Sequence, residues 1–253
     1  MKKYVYLLLS WVLIAAAQSY AAVTSAGRSA MEAARNYGAA VRSCDMAWAL
    51  DMMYPQLKMI LAERLDSRQG NERENALITM KVSENNPAQA AARQKRQLEA
   101  LRKLYEDQGR QMQAGGIRIE SFRVLEPVAE YEVNPPSGLA NAARRDEQGL
   151  VQADQLQGMR EVSRVVVLPT VLVVRAPRPD GSTQRIERRS HIYAIRDEKV
   201  AGAVNRNGIT RRGTKLNTWY FIDATVDVNT LRTFFPNLPQ HLTLPDSGDR
   251  ILR

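Results

Sequence analysis

From Ser25 onward, apolar residues recur at helical spacing, with Ala30, Ala34, Tyr37 and Val41 on one stripe. An amphipathic helix is predicted to about Arg42, with Ser25 as its N-cap. Asp45 is placed to cap a second helix whose stripe is Ala47, Leu50, Tyr54, Leu57 and Leu61. Pro55 falls inside that stripe, and proline removes a backbone donor, so either one kinked helix or two short helices meeting at a bend is expected. Residues 65–90 are polar apart from a weak apolar patch at Ala76 to Met80 and are assigned to an insertion. A longer helix follows from about Pro87 to Ala114, with Leu98, Leu101, Leu104, Tyr105 and Met112 along one side. Gly115 and Gly116 end it, because glycine takes positive φ without steric cost.

After the glycines the period changes to two. Ile117, Ile119, Phe122 and Val124 predict a strand with an irregularity near Ser121. Residues 133–158 are irregular and form a second expected insertion. The run VVVLPTVLVV, Val165 to Val174, predicts a long strand in which Pro169 marks a bulge or an edge. Arg178 to Ser182 is turn chemistry, and Thr183 to Ile195 is its hairpin partner. A loop, a strand over Thr218 to Ala224 and a short helix near Val228 to Phe235 complete the order, with 246–253 as a C-terminal tail. Helices gathered ahead of a meander of at least four strands imply an α+β domain with N-terminal helices on a curved, mostly antiparallel sheet.

The chain begins MKKYVYLLLSWVLIAAAQSYAA, two lysines, an apolar run and small residues, which predicts an export signal cleaved after Ala21. The expected location is the periplasm or the medium, and no transmembrane segment is expected after cleavage. Cleavage leaves 253 − 21 = 232 residues, enough for one domain with insertions. Hydrophobic residues at 44% and charged residues at 25% argue against global disorder. The lone cysteine, Cys44, has no partner for an intramolecular disulfide, so stability must come from packing, and its expected role is that of a small, partly buried residue at a helix junction.

Charge is lopsided. Residues 160–215 hold 13 Lys/Arg against five Asp/Glu, 13 − 5 = +8, which leaves the rest of the mature chain near neutral. Such a segment is either the solvated face of a sheet or a surface for an anionic polymer, a lipid surface or an acidic envelope protein. Arg188, Arg189, Arg211, Arg212 and Lys215 are its binding candidates. Nucleic acid is not an expected partner, since the chain carries an export signal and no zinc-finger spacing, RNA-binding signature or basic zipper.

Three stretches, YGAAVRSCDMAWALDMMYPQLKMIL, GGIRIESFRVLEP and TWYFIDATVDVNTLRTFFPNLPQHLTLP, together resemble a group of bacterial secreted proteins in the NTF2-like superfamily, the cystatin-like, cone-shaped α+β fold. In that group a helix ends near Gly-Asp, a Tyr-Pro follows in the second helix, and the last strand runs Trp-x-Phe-Ile-Asp before a Leu-Pro-rich tail. The chain departs from the pattern at Ser43-Cys44, ahead of Asp45, and at the two insertions. The resemblance implies a sheet wrapped around helices with a conical cavity, in a superfamily that contains ketosteroid isomerase and dehydratases alongside non-catalytic binding and assembly modules. It also implies dimerisation through the sheet.

An isomerase-like site needs a carboxylate base and acidic hydrogen-bond donors converging in an apolar cavity. Asp223, Tyr193, Tyr220 and His191 are the catalytic candidates. Strand alternation puts His191 with Tyr193 on one face and parts Tyr220 from Asp223. Asp223 ends its strand, where aspartate commonly caps a helix or forms a turn. With two histidines fifty residues apart and one cysteine, no metal site is expected, and no phosphate-cradling glycine loop calls for a nucleotide cofactor. The aromatic strand Trp219 to Ile222 has two apolar faces, so the second needs a partner subunit or a covering segment of the same chain.

Overall fold

The computed structural model describes residues 23–69, 87–133, 160–200 and 214–252. The expected export signal, most of the first expected insertion and nearly all of the second lie outside the described residues. The fold is α+β, with helices α1 (Ser25–Arg42), α2 (Met46–Asp51), α3 (Pro55–Gln69) and α4 (Pro87–Ala114) preceding the sheet. Strands β1 (Arg118–Val124), β2 (Ala129–Val133), β3 (Arg160–Pro177), β4 (Thr183–Val200) and β5 (Trp219–Asp223) follow, then α5 (Val228–Phe234) and β6 (Gly248–Leu252).

One long antiparallel hairpin is the backbone of the six-stranded sheet. β3 and β4 pair without a break from Arg160–Val200 to Pro177–Thr183, turning through Arg178–Ser182 with Gly181 at φ 80°. β1 and β2 pair with successive lengths of β3, and β5 and β6 do the same along β4. The irregularity expected in β1 falls between Ile119 and Ser121. Pro169 marks neither a bulge nor an edge. Its carbonyl accepts from Leu125 N at 2.9 Å, so the donor it lacks points into the gap between β1 and β2, where no strand asks for it. The 246–253 tail is likewise corrected: Gly248–Leu252 is a strand, with Ile251 opposite Ile186 and Asp249 opposite Arg188.

Period-two alternation divides the apolar residues between two cores. On one face, Ala26, Ala30 and Ala34 of α1 lie against Val166, Leu168, Ile192, Ala194, Trp219 and Phe221. The small residues of α1 let it approach closely: a Cβ on Gly38 would stand 2.3 Å from the Phe122 ring. On the other face, Val165, Val167, Tyr193, Ile195, Tyr220 and Ile222 pack against Tyr54 and Leu57 at the start of α3 and against Leu231, Phe234 and Phe235 of α5. Both faces of β5 are therefore covered within one chain, which is why its four leading residues are all buried. Its aromatic density needs no second copy.

The helices differ from expectation in instructive details. Thr24, not Ser25, caps α1, its hydroxyl accepting from Gly27 N. Asp45 caps α2 as expected, accepting from Trp48 N at 2.9 Å. Pro55 starts α3 where its missing N–H would be unpaired in any helix. The break it imposes at Met52–Tyr54 is used: Met52 O accepts from Phe221 N and Tyr54 N donates to Phe221 O, so the link closes the free edge of β5. α4 packs Leu101 against Leu50 and Ala62 and ends at Gly116, φ 72°, but Leu104, expected on the same side, is 45% exposed.

Candidate functional site: a basic groove beside strand β5

The four catalytic candidates are not brought together. His191 and Tyr193 share a face, as alternation requires, and His191 Nε2 lies 3.1 Å from Tyr193 Oη in the buried core. Burial lowers the His191 pKa, opposed by the Asp223 carboxylate, and burial raises that of the Tyr193 phenol. His191 Nδ1 is buried and has no hydrogen-bond partner among the described residues. Tyr220 turns its hydroxyl away from this pair, accepting from Lys215 N at 3.0 Å. Asp223 forms a turn, its Oδ1 accepting from Thr225 N at 2.9 Å, while capping of α5 falls to Asp227, which accepts from Asn229 N and Thr230 N. By strand alternation Asp223 lies on the α1 face, where its charge reinforces the rise that burial gives the Tyr37 and Tyr105 phenols.

The basic candidates divide as well. Arg188 is held by both oxygens of Asp249, at 2.8 and 2.7 Å, and Arg189 meets Glu187 at 3.1 Å. Arg175 and Arg185 share Glu120. Nearer the start of β3, Arg164 reaches Glu130, Glu132 and Glu198, and Arg196 pairs with Glu198 while its guanidinium stacks 4.5 Å above the Trp219 ring. Much of the positive charge of 160–215 is thus neutralised across neighbouring strands. Arg211 and Arg212 lie outside the described residues.

Among the described binding candidates, Lys215 is the one that no carboxylate engages. It lines a groove of about 830 Å³ between the α2–α3 junction, α4 and the turn leading into β5. The turn is fixed from beneath. Asp197, 4% exposed, accepts from Ser163 Oγ at 2.6 Å and from the Thr214 hydroxyl, and its carbonyl accepts from Asn217 N at 2.9 Å. Asn217 takes the left-handed conformation, φ 58°, that asparagine tolerates better than most residues, and Thr218 N closes the turn onto Lys215 O. With its own N–H on Tyr220, Lys215 has a rigid backbone at the rim of the groove.

Facing it are Lys58 of α3 and Arg102 of α4. Arg102 grips both oxygens of Asp51, at 2.7 and 2.9 Å, and reaches Glu106. Lys58 donates to the Asp51 carbonyl at 3.3 Å, and burial holds its ammonium below the usual lysine range, with Arg102 adding to the effect and Asp51 opposing it. Lys95 is paired with Glu99. Among the described residues neither Lys58 nor Lys215 has a carboxylate of its own within ion-pair distance. Leu50, Pro55, Met59, Leu98 and Tyr220 give the groove an apolar wall beside these cations.

A second groove, about 430 Å³, lies at the junction of α1 and α2 beside α4 and is lined by Cys44, Asp45, Glu106 and Arg110 among others. Cys44 is buried there, and burial raises its thiol pKa, which disfavours the reactive thiolate. Its backbone is left-handed, φ 56°, which explains why glycine would suit the place. Among the described residues no group of three His, Cys, Asp or Glu is arranged to hold a metal ion, and no described helix is long and apolar enough to cross a membrane.

No family model, no curated protein and no solved structure matches this chain.

Lys58 and Arg102 carry no signal in the sequence that singles them out. They stand on polar helix faces 44 residues apart, and only the packing of α3 on α4 makes them neighbours.

Proposed function

We propose that the chain is an exported, non-catalytic binding or assembly module of the bacterial cell envelope, of the NTF2-like kind, that engages an anionic or protein partner. The observation that carries this reading is the groove, where two lysines without carboxylate partners among the described residues stand beside apolar wall residues and one of them sits on a turn anchored to a buried aspartate. The enzyme reading has less support. Its base candidate is engaged in a turn and the Tyr220 phenol accepts from Lys215 N, so no two of the four groups other than His191 and Tyr193 address a common point. The export signal and the three family-like stretches favour an envelope location and that fold type.

The test is co-sedimentation of the purified chain with isolated envelope fractions at low salt and at 0.5 M salt. Binding at low salt that weakens at high salt is expected, because interactions between exposed charges are screened within about 10 Å at 0.1 M salt. Absence of binding at low salt refutes the reading.

A further inference from the structure

We propose that the groove between the α2–α3 junction, α4 and the 214–218 turn binds a single-chain anionic amphiphile, with a carboxylate head held by Lys58 and Lys215 and an alkyl chain laid along Leu50, Met59, Leu98 and Tyr220. The proposal rests on the binding-module reading and names the ligand class of that site.

Charge selects the head. The carboxylates on the groove, Asp51 and Glu99, are engaged by Arg102 and Lys95, which leaves the ammoniums of Lys58 and Lys215 as the free cationic groups of the described lining. An uncharged ligand leaves both lysines without an anion, and a small hydrophilic anion leaves the apolar wall wet. A molecule with an acidic head and an apolar chain satisfies both at once. Size selects one chain. About 830 Å³ lies within the range that holds one small molecule, whereas a two-chain lipid roughly doubles the apolar volume to be housed. Burial adds a third argument: the depressed ammonium of Lys58 gains more from an anion than a fully solvated lysine does, because a less polar setting strengthens the attraction.

Isothermal titration of the full chain at low salt, with dodecanoate below its micelle concentration, reads the proposal directly. Acetate supplies the head alone and 1-dodecanol the chain alone. One dodecanoate per chain is expected, with acetate unbound and dodecanol bound at least tenfold more weakly. Lys58→Met and Lys215→Met each weaken dodecanoate binding about tenfold or more, the scale of one charge-assisted hydrogen bond. Lys215→Arg keeps the charge and retains most of the affinity, and Arg188→Met, outside the groove, leaves it unchanged. Unchanged thermal unfolding of each variant establishes that the loss is local. Failure of dodecanoate to bind, or equal affinity in the wild type and both lysine-to-methionine variants, overturns the assignment. If the chain then still co-sediments with envelope in a salt-sensitive way, the binding-module reading survives and this ligand class alone falls.

Discussion

The turn that carries Lys215 is only as firm as the buried carboxylate beneath it, and that dependence can be measured. Asp197 has two acceptor oxygens in the core, one facing Ser163 at 2.6 Å and one facing Thr214. Ser163→Ala removes a single oxygen atom, so little packing is lost, but the carboxylate is left short of a donor where water is excluded. Hydrogen bonds to charged groups contribute about 1.5–3 kcal/mol. The substitution is therefore expected to cost about 2 kcal/mol, a fall in Tm of roughly 4–8 °C for a domain of this size. Asp197→Asn keeps the shape and removes the charge. A serine hydroxyl both donates and accepts, so it can rotate to suit an amide. In the Asp197→Asn background, Ser163→Ala is expected to cost less than about 1 kcal/mol, which makes the coupling between the two sites at least about 1 kcal/mol. Urea unfolding of the four proteins, followed by tryptophan fluorescence and checked for constant slope, gives the cycle. Equal costs of Ser163→Ala in both backgrounds would refute the account of Asp197 as a charged anchor.

Three further outcomes follow from other parts of the fold. Cys44 occupies a left-handed conformation, which costs a non-glycine residue about 1–2 kcal/mol. Cys44→Gly is therefore expected to be more stable than Cys44→Ala by about 0.5–1 kcal/mol in thermal unfolding, the reverse of the usual order within a helix. Gly109 faces the Cys44 carbonyl so closely that a Cβ would stand 2.3 Å from it, and Gly109→Ala should cost about 1–3 kcal/mol by forcing α4 away from the α1–α2 junction. His191 has a folded pKa below its unfolded value of about 6.5, so the unfolded chain takes up the proton first. Its contribution to stability is complete above that value and is lost as pH falls through the lowered folded pKa. Urea midpoints measured from pH 7.5 to pH 5 should drop in the wild type and drop less in His191→Gln; parallel curves would sink this assignment.

Most of the fold was legible because its signals are local. The stripe Ala30, Ala34, Tyr37 and the glycines after Ala114 are sufficient for α1 and the end of α4, and the alternation around Phe122 marks even the irregular turn of register in β1. What escaped was settled by distant partners. β2 and β6 are five residues each with two charged residues apiece, too short to give a pattern of their own, and they are strands because β3 and β4 are long enough to accept two short partners apiece along one edge. Pro169 looked like an interruption of a strand because the gap between β1 and β2 that tolerates it is made by residues more than forty positions away. Leu104 fell off the buried face of α4 because that face runs through Leu101, Tyr105 and Gly109, and at 3.6 residues per turn Leu104 stands to one side of that line.

The site was legible in fewer of its parts, for a reason that concerns charge itself. A local excess of +8 over 160–215 is a property of a segment, whereas the field at a surface is a property of neighbours in space. Arg188 lies across from Asp249 only because β6 returns to β4, and Glu120 reaches Arg175 and Arg185 only because β1 lies beside the hairpin. These pairs are more than fifty residues apart, so adding up charge along the chain misses them. The same geometry works in the opposite direction at the groove. Lys58 comes from a helix with two acidic residues of its own, Glu63 and Asp66, yet among the described residues it ends up without a carboxylate partner because the one beside it, on Asp51, is taken by Arg102. Replacing Arg102 with methionine should free Asp51 to pair with Lys58. That substitution is expected to weaken dodecanoate binding although Arg102 is not assigned to the head, and Asp51→Asn in the same background should recover part of the loss. If Arg102→Met leaves the affinity untouched, the partition of charges along this groove is wrong.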